Sequence, residues 1–596
     1  YRMGVDSYTN DSYTYIAPGG NVSEKYQGGR LSTSKVSYNY FNTNLMLNFH
    51  KTWGDFDVAA LVGTATESTQ RTRDGQWGWE FAVPGTISFT NILDQNKFFN
   101  QSHSLKRLVG VYGEVRASWK NMIYLTVTGR NDWSSTLPTD NRSYFYPSVS
   151  GSLVFTELLP KNDVLTFGKV RGSWAQVGKD ASPYSTNTYL WGIQVVNGEF
   201  QGVGNSWTGG SPYLLPEIQT SWEVGAELKF FNGRFGIDYT YYHSVTGNQI
   251  AAPRLCQSTG YIFLTINSGS VKNQGMELMI TGTPVDTKDF TWDLVLNMSG
   301  NRGTLGDFVE GVDYFYVTDA QIGGVKAASI PNGGYFLGMT GNYWLRETEK
   351  VQDVDKKTGE LKVDKDGNPV MVDKEIEGGR YQIDAATGLY KLQGNTTNVV
   401  GNREPKLIGG LTSNFRWKDL SFSFLFDFRF GGDIYNGTQY YLTSLGQSMR
   451  TLENNRTSVT VEGVDSKTME PVSITYKAGE SYNVNGSVRS GEYMIQSYWS
   501  NYCSNAYNFI QSVNWLRLRN INLSYDFSNL IKGQDVLKGL VATFTANNLF
   551  YVTNYVGGMD PEVSMGSGTG GSGSVGIDYC GVPSQRSFSF GLNLTF

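Results

Sequence analysis

The chain has 596 residues, of which 39% are hydrophobic and 14% aromatic, with 70 glycines, 37 tyrosines and a formal net charge of −5. No apolar run is long enough to cross a bilayer as a helix, which excludes a helical membrane protein. No basic tract interrupts the acidic balance, so a phosphate-binding surface, and with it nucleic acid as a partner, is excluded.

Taken in chain order, segments of about ten residues alternate apolar and polar side chains, the period-two pattern of a sheet with one apolar face. Tyr1 to Tyr13 reads as the outer end of an upward strand, and the Tyr1-Arg2-Met3-Gly4 start has the character of an interior position. A strand near Tyr38 to Phe49 follows. Val109, Val111, Val115, Ala117 and Trp119 then share one face, as do Ile123, Leu125 and Val127, and later Phe235, Ile237, Tyr239 and Tyr241. Trp292, Leu294, Leu296 and Met298 repeat the pattern, and Leu420, Phe422, Phe424, Phe426, Phe428 and Phe430 give its clearest case. From Trp515 to Tyr525 the alternation changes phase near Arg519, which predicts a β-bulge.

The connections sort by length. Short links fall at Thr52 to Gly54, Lys120-Asn121, Leu158 to Asp163, Asn232-Gly233, Thr287 to Asp289, Lys418-Asp419 and Ser528 to Gly539. Long polar and aromatic stretches lie between them: Glu67 to Lys106, Asp132 to Tyr144, Val177 to Thr220, Val245 to Lys272, Arg302 to Pro405, Asp433 to Phe509 and Thr553 to Gln585. Short periplasmic turns and long outer loops build bacterial barrels, so the predicted fold class is all-β, a large transmembrane antiparallel β-barrel crossing the outer membrane many times. About fifteen strands follow from Tyr38 onward. Since such barrels have an even strand number with both termini periplasmic, the expectation is a wall incomplete at the N-terminus.

Chemistry-bearing motifs are sparse. Cys256, Cys503 and Cys580 form no CxxC pair and leave one Cys503 to Cys580 bridge open. Gly568, Gly570 and Gly573 satisfy G-x-G-x-x-G in a Gly/Ser-rich loop, not between a strand and a helix. Asp364, Asp366 and Asn368 begin like a calcium loop, but the glycine comes one place early, and Asp366-Gly367 fits a hairpin turn better. His50, His103 and His243 belong to no nucleophile or metal-ligand pattern, so neither catalysis nor a cofactor is expected. Trp77, Trp79, Trp191, Trp207, Tyr335, Tyr343 and Trp344 fall in the long stretches beside polar groups. As a set they are candidate ligand-stacking residues of a vestibule, with packing of the loops upon themselves as the alternative for each. The charged run Arg346 to Lys391 reads as a solvated hairpin extension, or else as a disordered insertion.

Several stretches resemble the SusC/RagA family of TonB-dependent transporters. They are Leu125 to Pro138 (LTVTGRNDWSSTLP), Asn141 to Ser150 (NRSYFYPSVS), Lys169 to Asp180 (KVRGSWAQVGKD), and Gly401 to Tyr435 around GNREPK and FRFGGDIY. Leu516 to Phe527 (LRLRNINLSYDF), Thr545 to Tyr555 (TANNLFYVTNY), Gly558 to Val563 (GMDPEV) and Gly576 to Phe596 continue the likeness. The resemblance implies a plug inside a barrel of about 22 strands. On that template residues 1–596 are the C-terminal portion of the barrel with long extracellular loops at 302–405 and 433–509, and the plug has no counterpart in the chain. It further implies active import of oligomeric nutrients, glycan ahead of peptide, with a SusD-like surface lipoprotein and with TonB acting through the missing N-terminal part. The alternative is a passive porin or surface adhesin. Phe588, Phe590, Leu592, Leu594 and Phe596 resemble the terminal signal read by the barrel-assembly machinery, against the plainer reading of an edge strand.

Overall fold

The computed structural model describes residues 1–19, 24–196, 199–309, 314, 321–331, 334–354, 359–395, 397–533, 536–562 and 575–596. Two compact units divide the chain, one of residues 1–228 and 240–271, the other of residues 229–239 and 272–596. Among the described residues, sixteen strands have nine or more residues, and Arg2–Ile16 is the upward strand expected before Tyr38.

In the first unit Arg2–Ile16, Arg30–Trp53, Phe56–Trp79, Lys97–Trp119, Ile123–Ser134, Ser143–Val154 and Leu165–Lys179 pair antiparallel in sequence order. The short links are tight turns, as at Lys120 and Asn121, where φ is 53° and 52°. The expected long stretch from Glu67 to Lys106 is corrected: both flanking strands run on, leaving only residues 80–96 as connection. Crossing a bilayer takes about 9–11 strand residues, whereas Arg30–Trp53 and Phe56–Trp79 have 24 each. Beyond the apolar band both faces of a strand meet water, so the hydrophobic alternation fades while the hydrogen-bond ladder continues.

In the second unit Phe290–Gly306, Leu407–Trp417, Leu420–Phe430, Trp515–Asp526, Gly539–Thr553 and Ser587–Thr595 pair in the same serial manner. The bulge expected near Arg519 is present. Leu425 opposes Asn520 while Phe426 opposes Leu518, so Arg519 drops out of register. Phe588, Phe590, Leu592, Leu594 and Phe596 are exposed, and the strand that carries the first four pairs with Gly539–Thr553.

The described residues within 302–405 and 433–509 are not bare loops. They fold together into short sheets, such as Val325–Ala328 with Gly338–Gly341 and Ser458–Asp465 with Pro471–Lys477. Two helices join them, α1 (Gly437–Ser444) and α2 (Gly491–Cys503), started by Asn436 and Ser490 side chains that accept the N–H of Gln439 and Tyr493. One buried cluster gathers Val325, Met339, Tyr435, Cys503 and Phe509, and another gathers Ile383, Val461, Tyr476 and Met494. Within the run Arg346 to Lys391, Thr348–Gln352 and Met371–Glu375 form the expected hairpin, and Asp364 accepts the N–H groups of Asp366 and Asn368 at its Asp366-Gly367 turn.

Candidate functional site

In the first unit the two faces of the sheet can be told apart by parity. Leu45, Leu47 and Phe49 are 52%, 60% and 61% exposed on one face of Arg30–Trp53, the apolar face a barrel turns to lipid. Trp77 and Trp79, paired with Ser32 and Arg30, fall on the other face. Their rings stack at 5.4 Å, and Phe98 from the next strand lies 4.5 Å from Trp77 and 5.0 Å from Trp79 with small interplanar angles. The Arg30 guanidinium sits 5.0 Å from the Tyr26 ring and 5.8 Å from Trp77. Such a platform offers half-exposed π faces, with a cation beside them, to a sugar ring or a peptide side chain.

The other candidates scatter. Trp207 is 62% exposed, and Tyr335 is 43% exposed on a two-residue strand paired with Thr304 and Leu305. Trp191 lies in the Leu190–Val196 strand, with its side chain outside the described residues. Tyr343 packs against the Tyr435 cluster and the Tyr507 ring. Trp344 is buried, its ring surrounded by Tyr390 at 4.2 Å, Tyr381 at 5.1 Å and Tyr502 at 5.8 Å, so packing occupies the surface a ligand would need. The glycines of the G-x-G-x-x-G pattern fall outside the described residues. His50 contacts Asp57, His103 contacts Thr72, and His243 lies beside Trp222.

Sequence reasoning missed a cavity of about 690 Å³ beside α1 and α2, lined among others by Tyr440, Thr443, Arg456, Glu492, Gln496 and Trp499. Arg456 donates to the Gly446 carbonyl, and Glu492 accepts the Gly479 N–H at 2.8 Å. The Ser490 cap and the acidic Glu492 in the first turn were the available signal for α2, but its aromatic, Ser- and Asn-rich interior has weak helix propensity.

The stretches that carried the family resemblance meet where loops leave the strands. In the first unit, the Arg130 Nε donates to Asp132 at 2.8 Å, Tyr146 also donates to Asp132, and Asp180 takes Lys106 at 2.6 Å together with the Ser134 hydroxyl. In the second, Arg517 pairs with Asp560 at 2.5 Å, both nearly fully buried, and its Nε lies 2.8 Å from Glu562 in an ion contact without hydrogen-bond alignment. The bulged Arg519 reaches both Asp427 and Glu562 at 2.7 Å. Arg403 donates to the carbonyls of Gly338 and Val575, and burial pushes its guanidinium down to about 10. Asp433 accepts the Asn402 N–H.

The family model "TonB dependent receptor-like, beta-barrel" matches residues 1–436. The chain belongs to that family. Among curated proteins it is 26% identical over 99% of its length to the TonB-dependent receptor SusC of Bacteroides thetaiotaomicron, covering 53% of that protein. It is also 26% identical over 96% of its length to the TonB-dependent receptor P26 of Formosa agariphila, covering 54% of it. The chain therefore spans about half the length of the curated relatives it matches. A solved structure titled "Structure of the RagAB peptide transporter" shares the fold with a TM-score of 0.70 at 19% identity, over all of this chain and 59% of that one. This receptor barrel is of the SusC/RagA type and lies in the outer membrane, which it crosses with strands; among the described residues no helix is long and apolar enough to do so.

All three cysteines of the barrel are free, Cys503 buried and Cys256 and Cys580 exposed, so the Cys503 to Cys580 bridge left open by the sequence is not formed. Burial pushes the Cys503 thiol up to about 11, whereas hydrogen bonding from Ser258 lowers that of Cys256. Thiolate is the reactive form. Maleimide at neutral pH is expected to label Cys256 first and Cys580, whose thiol burial raises, more slowly, with Cys503 added only on denaturation. Labelling of Cys503 in the folded protein would contradict its burial.

Proposed function

We propose that this chain supplies the barrel portion of an outer-membrane importer of oligomeric nutrients, glycan ahead of peptide, working with a SusD-like surface lipoprotein and with TonB. The observation that carries this is membership of the TonB-dependent receptor barrel family, with SusC among the relatives along nearly the whole chain. The loops of residues 302–405 and 433–509 form the outer rim. Trp77 and Trp79, on the face turned from lipid, offer rings to an incoming oligomer in the first unit, where Trp207 is exposed, and Tyr335 is an exposed ring of the second. Tyr440 and Trp499 line a second place where sugar rings fit. The role needs no bond to be made or broken. Phe596 and the apolar residues before it serve as the assembly signal.

The test is uptake of fluorescent oligosaccharides and oligopeptides by cells carrying the full-length protein, with the Trp77→Ala/Trp79→Ala variant beside it. Expected is glycan uptake that stops when the proton-motive force is collapsed, and that falls about tenfold or more in the variant as two stacking contacts are lost. Uptake that persists without the proton-motive force, with steady ion conductance in a planar bilayer, would establish a passive porin instead. Uptake of peptides alone would reverse the order of substrates.

A further inference from the structure

On the lipid-facing side of the first unit's sheet, the apolar side chains give way upward to a groove of about 730 Å³ that crosses the first four strands and mixes aromatic rings with polar groups. Register places Tyr13, Thr33, Gln76 and Phe99 in one cross-strand row, and Asp11, Lys35, Asp74 and Gln101 in the next row on the same face. Parity along each strand ties that face to lipid. Within the apolar band Met3 and Val5, Leu45 and Leu47, Val62, and Val109 and Val111 are exposed, each an even number of positions from the groove residues of its own strand.

Height and chemistry narrow the ligand. Phe41 is the uppermost large exposed apolar residue on this face of its strand, and Thr33 lies eight positions further on. At about 3.3 Å per residue and a 35–45° tilt, that is roughly 20 Å above the apolar band. An ordinary phospholipid headgroup layer reaches only about 5–8 Å beyond the hydrocarbon, so the groove stands clear of it. Tyr13 and Phe99 are 62% and 75% exposed at the two ends of a row about 14 Å wide. Between them are amide, hydroxyl and carboxylate groups, with the Gln101 amide donating to Asp74 at 2.8 Å. Lys35 stands between Asp11 and Asp74, so the groove is no cradle for phosphate. Two aromatic faces flanking short hydrogen-bonding groups match pyranose rings with free hydroxyls.

We infer that this groove binds the sugar headgroup of a glycolipid of the surrounding outer leaflet, holding the barrel in its membrane from the outside. The site is separate from the import path, because it occupies the face opposite Trp77 and Trp79. The test is native mass spectrometry of the full-length protein extracted in mild detergent from its own outer membrane. The wild type is expected to carry glycolipid adducts. A Tyr13→Ala/Phe99→Ala variant, which loses only exposed rings, is expected to lose about tenfold or more of that occupancy, while Trp77→Ala on the other face keeps it. Heat-modifiable migration on a gel checks that each variant is folded. Equal adduct occupancy in wild type and double variant would overturn the inference. So would a double variant that keeps its glycolipid but loses affinity for maltoheptaose, which would assign the groove to soluble glycans.

Discussion

Asp560→Ala is expected to destabilise the anchorage of residues 554–562 and 575–586 by about 3–5 kcal/mol, because it leaves the Arg517 guanidinium buried without its main counter-charge. Arg517 and Asp560 have side chains only 2% and 1% exposed, so water cannot compensate. Replacing both, as Arg517→Met with Asp560→Leu, is expected to recover only part of the loss, since an apolar pair avoids the desolvation cost that the ion pair carries while the N–H groups of Glu562 and Ser584 lose their acceptor. Glu562 then keeps its contact with Arg519. Denaturant unfolding in detergent, with limited proteolysis scored within residues 554–562 and 575–586, reads the effect; a cost below about 1 kcal/mol for the single change would mean the pair is solvated. Acid gives a second reading. Burial raises the Asp560 carboxyl, but hydrogen bonds from the N–H groups of Glu562 and Ser584, together with Arg517, hold it below the usual range. A carboxylate whose folded value is depressed contributes stability above its unfolded value near 4 and loses it as pH falls through the lower, folded one. Protease resistance of residues 554–562 and 575–586 in wild type is therefore expected to survive at neutral pH and to fail in acid, and the double variant to show no such acid step.

The same network shows what a sequence can carry. The phase change at Arg519 was legible as a bulge, because period-two alternation breaks visibly when one residue drops out of the ladder. What the bulge is for was not legible: Asp427 and Glu562 are 92 and 43 positions away in sequence and meet Arg519 only in the fold. Strands within the apolar band were read closely, since lipid on one face enforces alternation. Their outer extensions, such as Gln70 to Trp79, read as loop because water on both faces imposes no alternation there. The loop domain was missed for a related reason. Its strands are mostly two to five residues long, below the length at which periodicity can be measured, and its cores are assembled from distant segments such as Met339, Val400 and Phe509. Trp77 and Trp344 look alike as aromatics beside polar groups, yet only the fold separates a partly exposed ring stacked on Trp79 and Phe98 from one enclosed by three tyrosines.

That separation makes Trp344→Ala the sharper test of the candidate ligand residues. The indole is 5% exposed and touches Tyr381, Tyr390 and Tyr502, while Arg346 lies over the Tyr381 ring at 4.5 Å. Truncating a buried Trp costs about 3–5 kcal/mol, which approaches the whole stability of a small unit. The expected outcome is local unfolding of the loop domain, seen as new protease cuts between residues 321 and 405 and as Cys503 becoming open to maleimide, since Tyr502 beside it touches the same indole. The strands of the wall, held by their own ladders, are expected to keep heat-modifiable migration. Trp344→Phe preserves most of the packing and is expected to protect Cys503 as the wild type does. If Trp344 acted on ligand instead, the Ala variant would keep its protease pattern and its protected thiol while losing oligosaccharide affinity, and the packing account would fail. The Trp77→Ala/Trp79→Ala variant should behave in the opposite way, because half-exposed stacked rings can be removed with the loop domain intact and with uptake as the property that falls.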